Sequence, residues 1–407
     1  MLGGLAVAVL TLFPIPDGVA AAAATPLLCL VCGDHGGVDV ILNLLLFVPL
    51  GLGIGLTSGS WRRALGAAAA VSLLVELLQL TVVTGRDSSL SDLITNTTGG
   101  GIGGLIAVRA GLLAAPGRRA AWRLLLAGAT GWLALLALSA WLQTPRVGGG
   151  AVASTWAHAA APDAFRGRVL SVTANGEPMP SNAPVPDGEA ARRALRAGHL
   201  SLDVRLVSGP SSSQRRWIYV MSQRGRPRLA LSQQRRAAVL TLPSRSVRFR
   251  LNPPTLLLPG AIPREPGVPV VLRAGARDRA FWLASAHGGE VRRSTLALSP
   301  AHGWALVAPF GLGLGPGTRI VTGLLLFGLA LPLGYWSRAA GRGAAVVGVT
   351  LVLGLLAIPA AAGFDPVHWS EWLGAVAGGG AGWALQRGAA YLQPRCGSPS
   401  TSESSSS

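Results

Sequence analysis

Seven polar residues stand in three otherwise apolar stretches of the chain. Asp39 and Asn43 are four apart, Glu76 and Gln79 three apart, Asp92 and Asn96 four apart, and Arg86 falls between the last two pairs. Residues three or four apart share a helix face, so each pair presents its polar groups in one direction. A charged side chain at the centre of a bilayer costs at least ~2.5–3.5 kcal/mol on insertion scales, so such groups face partners or a water-filled cavity. Two readings fit. The residues are hydrogen-bonding glue between helices, or Asp39, Asn43, Glu76, Gln79, Arg86, Asp92 and Asn96 line a polar pocket that binds a ligand. The repeated Asp-x-x-x-Asn at the start of two helices favours the pocket. No catalytic residue, cofactor or metal is assigned to it.

These side chains need helices to carry them. The chain is 50% hydrophobic and only 13% charged, with a mean hydropathy of +0.46, whereas soluble domains carry about 25% charged residues. A span needs about 20 mostly apolar residues. Candidates are residues 2–14, 38–57, 64–84, 90–108, 121–142, 318–336, 343–362 and 370–390, the first short or truncated. The fourth and eighth are glycine-dense (Gly99 to Gly104; Gly374, Gly378 to Gly382) and read as close-packing faces.

Arginine in the short loops sets the orientation. Arg62, Arg63, Arg109, Arg118, Arg119, Arg123, Arg338, Arg342, Arg387 and Arg395 all fall on one side of an eight-span path, while loops 15–37 and 363–369 contain none. Both termini are then cytoplasmic, and residues 146–310 lie outside. The seven polar residues occupy the outer half of the bilayer.

The stretch Asp39-Val-Ile-Leu-Asn43-Leu-Leu-Leu-Phe47-Val-Pro49-Leu-Gly51, then Glu76-Leu-Leu-Gln79, Gly85-Arg86-Asp87 and Ser91-Asp92-Leu-Ile-Thr-Asn96-Thr-Thr-Gly99 resembles the VanZ-like family over about residues 1–110. The resemblance implies a polytopic bacterial membrane protein. The family's founding member is linked to reduced susceptibility to the lipoglycopeptide teicoplanin, but no biochemical activity comes with the name. The last hairpin is loosely similar: Asp365, His368 and Glu371 precede Gly374 and Gly378 to Gly380 as Asp92 and Asn96 precede Gly99 to Gly101. It is a degenerate copy or, as the sequence alone favours, an ordinary polar loop before a glycine face.

Residues 146–310 hold 23 arginines against 8 acidic residues and so carry about +15 of the formal +18. Alternation at His199 to Val207, Arg216 to Ser222, Ala237 to Leu242, Ser246 to Leu251, Val268 to Arg273 and Arg279 to Ala284 predicts a β-sandwich. This strand pattern is similar to concanavalin A-like lectin and glucanase jelly rolls, as in laminin G domains. Glycan hydrolysis in such folds needs paired carboxylates at a fixed separation. Asp187 and Glu189 have the first spacing but the wrong order and no third partner, so binding is expected rather than hydrolysis. Trp217, Tyr219, Phe249, Phe281, Trp282 and Trp304 either stack sugars or fill the core.

The expected organisation is therefore a membrane bundle of about eight spans with an inserted all-β sandwich. Residues 1–145 carry helices one to five, 146–310 the sandwich and 311–392 helices six to eight; 393–407 form a disordered serine-rich tail. Cys29 and Cys32 form a disulfide or stay free thiols rather than half a zinc site. Thr95 to Gly104 is no phosphate loop, since no basic residue follows it. The expected function is binding an envelope lipid, lipoglycopeptide or glycan at the outer leaflet, with the membrane as partner and no nucleic acid. The alternatives are a transporter and a membrane enzyme acting on a lipid-linked glycan.

Overall fold

The computed structural model describes residues 35–81, 89–145, 147–156, 163–197, 199–224, 226–277, 280–309 and 313–392, with Val31 and Gly33. The first expected span, Cys29, Cys32, Arg86, Asp87 and the serine-rich tail lie outside the described residues.

Four long helices open the described chain, α1 (Gly36–Ser58), α2 (Trp61–Thr81), α3 (Leu90–Val108) and α4 (Arg118–Gln143), with a single helical turn Ala110–Ala114 between the last two. A short helix α5 (Gly188–Ala197) belongs to the β region, and α6 (Thr318–Ala339), α7 (Ala344–Ala362) and α8 (Trp369–Leu392) follow it. Among the described residues α1, α2, α4, α6 and α7 are long and apolar enough to cross a membrane. The two remaining long helices, α3 and α8, are the glycine-dense ones.

Glycine decides how those two pack. A Cβ on Gly99 or Gly103 would overlap the carbonyl oxygens of Leu44 and Val48 in α1, and one on Gly51 would overlap Gly100 O. Bare backbones therefore touch along α1 and α3, gaining dispersion contacts that a larger side chain would forbid. The same arrangement recurs in the last three helices. A Cβ on Gly378 or Gly382 would overlap the oxygens of Phe327 and Leu331 in α6, and one on Gly334 would overlap Gly379 O.

The correspondence is positional. Leu44, Val48 and Gly51 map onto Phe327, Leu331 and Gly334 by a shift of 283 positions. Gly99, Gly100 and Gly103 map onto Gly378, Gly379 and Gly382 by a shift of 279, as do their α2 and α7 neighbours Ala68 and Val347. The in-helix prolines Pro49 and Pro332 keep the first shift. Asp92 N donates to Ser89 O just as Glu371 N donates to His368 O. Helices α6 and α8 repeat the packing of α1 and α3, while α7 lies against α4 rather than along α8. The last hairpin is thus a degenerate copy, against the sequence-only preference for an ordinary loop.

Between the units lies a sandwich of two antiparallel six-stranded sheets. The strands are β1 (Val152–Trp156), β2 (Arg168–Ala174), β3 (Glu177–Pro178), β4 (Ala183–Pro184), β5 (Leu200–Val207), β6 (Arg216–Gln223), β7 (Arg226–Gln234), β8 (Ala237–Thr241), β9 (Thr255–Leu258), β10 (Pro269–Arg277), β11 (Ala280–His287) and β12 (Glu290–Ala297). One sheet runs β4-β1-β6-β7-β8-β9 and the other β12-β11-β10-β5-β2-β3. Strict alternation on β5 turns Leu200, Leu202, Val204 and Leu206 inward, where they meet Ile218, Met221, Leu231 and Leu240 of the opposite sheet. The expected strand Ser246 to Leu251 is instead a 3-10 turn, Ser246–Phe249. Ser246 Oγ donates to Asn252 O at 2.9 Å and Arg250 takes a left-handed φ of 55°, so local bonding displaces the ladder.

The sandwich sits on one end of the helices. Gln143 Nε2 at the end of α4 donates to Ser299 O at 3.1 Å, and Arg245 donates to Thr144 Oγ1 at 2.9 Å. Val38 of α1 joins Leu142, Leu251 and Leu306 in one apolar cluster. At the far end Trp336 Nε1 donates to Leu113 O at 3.1 Å, tying the two helical units together.

Candidate functional site

The sandwich-side ends of α1, α2 and α3 bring most of the predicted residues together. Asn43 Nδ2 donates to Asp92 Oδ1 at 2.6 Å, linking α1 to α3. Ser89 caps α3: its Oγ accepts from Asp92 N at 3.1 Å, which satisfies one free N–H of the first turn. The Ser89 N–H in turn donates to Glu76 Oε2 at 2.8 Å, adding α2. One turn deeper, Asn96 Nδ2 donates to Ser72 Oγ at 3.0 Å.

Burial grades along this path. Asp39 is exposed, while Asn43 and Asp92 are half-buried. Glu76 is 7% exposed, Gln79 8%, Asn96 2% and Ser72 0%. The Asn96 Oδ1 atom is buried with no hydrogen-bond partner among the described residues, and leaving a buried acceptor unmet costs about 1–3 kcal/mol. The polar groups thus form a column that runs from exposed Asp39 to buried Asn96. Ser72 and Ser89 were missed from sequence. Ser72 had a signal, since it stands four before Glu76 on the same face; Ser89 had only its position before an apolar run. Arg86 lies outside the described residues.

Three carboxylates gather near the mouth, Asp92 accepting from Asn43, Glu76 from Ser89 N, and Asp39 at the exposed end. Among the described residues no group of three His, Cys, Asp or Glu side chains is placed to hold a metal ion.

The second unit repeats the α1–α3 backbone contact in α6 and α8 with a different interior. By the shifts above, Asn43 corresponds to Leu326, Ser72 to Leu351, Glu76 to Leu355 and Asn96 to Ala375. All four replacements are 6% exposed or less and share one apolar core with α4. Asp39 corresponds to Thr322 and Asp92 to Glu371, so polar groups survive only at the mouth. The mouth is filled. Ser299 Oγ donates to Glu371 Oε2 at 2.8 Å, and Trp304 Nε1 donates to Thr322 Oγ1 at 3.0 Å. Both donors flank or belong to the 3-10 turn Pro300–Leu306 that ends the sandwich.

In the sandwich, Asp187 is a helix cap rather than half of an acid pair: its Oδ1 accepts from Glu189 N at 3.1 Å and Ala190 N at 2.8 Å. Tyr219 and Phe281 belong to the core, and Phe249 packs on Trp141 with ring centroids 5.7 Å apart. Trp282 stays half-exposed with Arg293 5.8 Å from its ring centroid. It borders an open groove shared with Asn175, His199, Ser201 and, from the α7–α8 loop, Asp365.

The VanZ/LLP1 family model matches residues 6–113, the stretch that contains α1, α2 and α3. With the apolar helices this marks the chain as a membrane protein. No curated protein and no solved structure matches the chain.

Proposed function

We propose that this VanZ-like chain binds the polar head of an amphiphilic or glycan-type envelope ligand in the shaft between α1, α2 and α3. One comparison within the molecule supports this reading over helix glue. The second unit repeats the close glycine contact of α1 and α3 in α6 and α8, with Leu326 and Ala375 where the first has Asn43 and Asn96. Close association of the first and third helices therefore does not need polar groups at positions 43 and 96. Polar groups kept at a desolvation cost where leucine suffices are kept for another purpose.

The placement proposed is an eight-span bundle with both termini cytoplasmic and the sandwich, of jelly-roll type, outside. The structure supports it by gathering the sandwich at the starts of α1, α6 and α8 and the end of α4. Arg62, Arg63, Arg109, Arg118, Arg338 and Arg342 fall at or next to the opposite helix ends, as the positive-inside rule requires. The shaft then opens at the outer leaflet, where a lipid-linked glycan or a lipoglycopeptide presents its head. Polar groups end one turn below Asp92, which argues against a path through the full membrane depth.

A decisive experiment transplants the second unit's residues into the first. The triple variant S72L/E76L/N96A should insert, fold and melt at or above the wild-type temperature in nanodiscs. It should lose binding of a fluorescent lipid-linked disaccharide by tenfold or more, and cells carrying it should lose any teicoplanin-susceptibility phenotype. A variant that unfolds restores the glue reading; one that binds as wild type removes the shaft.

A further inference from the structure

One row of residues crosses the outer face of the sheet that runs β12-β11-β10-β5-β2-β3. Thr295 of β12 pairs with Trp282 of β11, Trp282 with Gly275 of β10, and Gly275 with Ser201 of β5. Since Leu200 and Leu202 point into the core, alternation turns this row out of the sandwich. A Cβ on Gly275 would come within 2.6 Å of Trp282 Cζ2 and 2.7 Å of Cε2. The indole therefore lies across the glycine and buries it, while Trp282 itself stays half-buried and lines a groove.

The row has an apolar middle and polar ends. Thr295 and Ser201 are exposed. Beyond Ser201, Asn175 Oδ1 accepts from Ser201 N at 2.8 Å, which fixes the amide and leaves Nδ2 to donate. Arg293, exposed on β12, brings its guanidinium to 5.8 Å from the indole centroid. Asp365, half-buried in the α7–α8 loop, adds a carboxylate from the helical side. The groove holds about 1050 Å³, at the upper end of small-ligand sites, and three strand spacings of ~4.8 Å make the row about 14 Å long.

A chain of pyranose rings fits that pattern. The axial C–H groups of such a ring form an apolar face that packs on the electron-rich face of an indole, and hydroxyls around its rim both donate and accept. Donors at Asn175 and Arg293, an acceptor at Asp365 and hydroxyls at Ser201 and Thr295 meet that rim. A polyanion would call for clustered cations, whereas the described lining holds one arginine and one carboxylate. We propose that this groove is a second binding site, for a neutral oligosaccharide stacked on Trp282. It shares no residue with the shaft. The α7–α8 loop leads into α8 at the end where Glu371 meets Ser299 of the sandwich, so a glycan in the groove lies beside the helix ends.

Isothermal titration of cellotriose and triacetylchitotriose into the full chain in nanodiscs tests this, with tripolyphosphate as a purely electrostatic probe. At least one trisaccharide should bind. Trp282→Leu still covers Gly275 but has no π face. It should melt as the wild type does and weaken the sugar about tenfold or more, the loss of an aromatic anchor. Asp365→Asn, a change outside the sandwich, should weaken it about threefold or more, and it decides the matter where Trp282→Leu fails to fold. S72L/E76L/N96A should leave trisaccharide binding unchanged. Absence of binding by both sugars at millimolar concentration, or binding untouched by Trp282→Leu and Asp365→Asn, would overturn the groove. Tripolyphosphate displacing the sugar would mark an anion site and overturn it as well. Sugar binding lost in S72L/E76L/N96A and kept in Trp282→Leu would move the sugar to the shaft, ending this inference and supporting that reading.

Discussion

His302 shows how one side chain at the junction makes the molecule sensitive to acid. It is 4% exposed, and its Nδ1 accepts from Ser299 N at 2.9 Å, closing the cap of the turn that Glu371 holds. Burial pushes its pKa down from the usual 6.5 to about 4. A depressed histidine favours the folded state fully above its unfolded value, and that contribution is lost as pH falls from about 6.5 toward 4. Thermal unfolding should therefore show a loss of up to about 3 kcal/mol over that window, at 1.36 kcal/mol per unit. His302→Gln should be less stable than wild type at pH 7 and show a shallower fall on acidification. Equal pH slopes for the two proteins would remove His302 as the origin. At this scale the sequence was partly legible. Asp39, Asn43, Asp92 and Asn96 declared themselves through i, i+4 spacing in an apolar run, but Ser72 and His302 did not. A serine is too common in membrane helices, and a capping histidine is known only once its turn is seen.

Elements carry the clearest steric prediction. Gly51 and Gly334 occupy equivalent places where a Cβ would overlap the backbone of Gly100 and Gly379, while Gly53 and Gly66 have nothing within 4 Å of a built Cβ. Gly51→Leu and Gly334→Leu should each cost about 3 kcal/mol or more, at the severe end of overpacking. Gly53→Ala and Gly66→Ala should be neutral or gain up to about 1 kcal/mol, since glycine is the poorer helix former. Melting temperatures in detergent for the four variants decide it, and a tolerated Gly51→Leu would refute the backbone contact. Helices of this kind were readable from hydropathy and glycine content, and five of the expected six strands exist. Strands β7 and β12 were passed over because arginine and glutamine dilute their alternation: Arg226-Pro-Arg opens one, and all but two residues of β12 are exposed. The repeat stayed hidden for a related reason. Once Asn43, Glu76 and Asn96 give way to apolar residues, only glycine and proline spacing survives, and two different shifts blur even that. The path from the first helix to the second differs by four residues between the units, so no single offset aligns the copies.

At the scale of the molecule, duplication accounts for the position of the sandwich. It enters between α4 and α6, before the second three-helix set, at the place corresponding to loop 15–37 ahead of α1. The sandwich sits on the side where the polar mouths open. The junction side also gathers Trp141, Phe249 and Arg245, with the Arg245 guanidinium 5.3 Å from the Trp141 ring centroid, a grouping suited to a membrane–water boundary where indole rings are enriched. At the far end Arg338 lies 4.3 Å from the Trp383 ring centroid, and further arginines cluster nearby. A sidedness experiment follows directly. In a chain with Cys29, Cys32 and Cys396 changed to serine, a single cysteine at Ser211, exposed in the sandwich, should react with a membrane-impermeant maleimide in intact cells. One at Gly117, before α4, should react only after the membrane is opened. The opposite labelling would put the sandwich in the cytoplasm and the shaft on the inner leaflet, and the envelope ligand would have to be abandoned for a cytoplasmic one. Labelling of neither position in intact cells, with both reactive after opening, would put both ends of α4 inside and end the reading of α4 as a span.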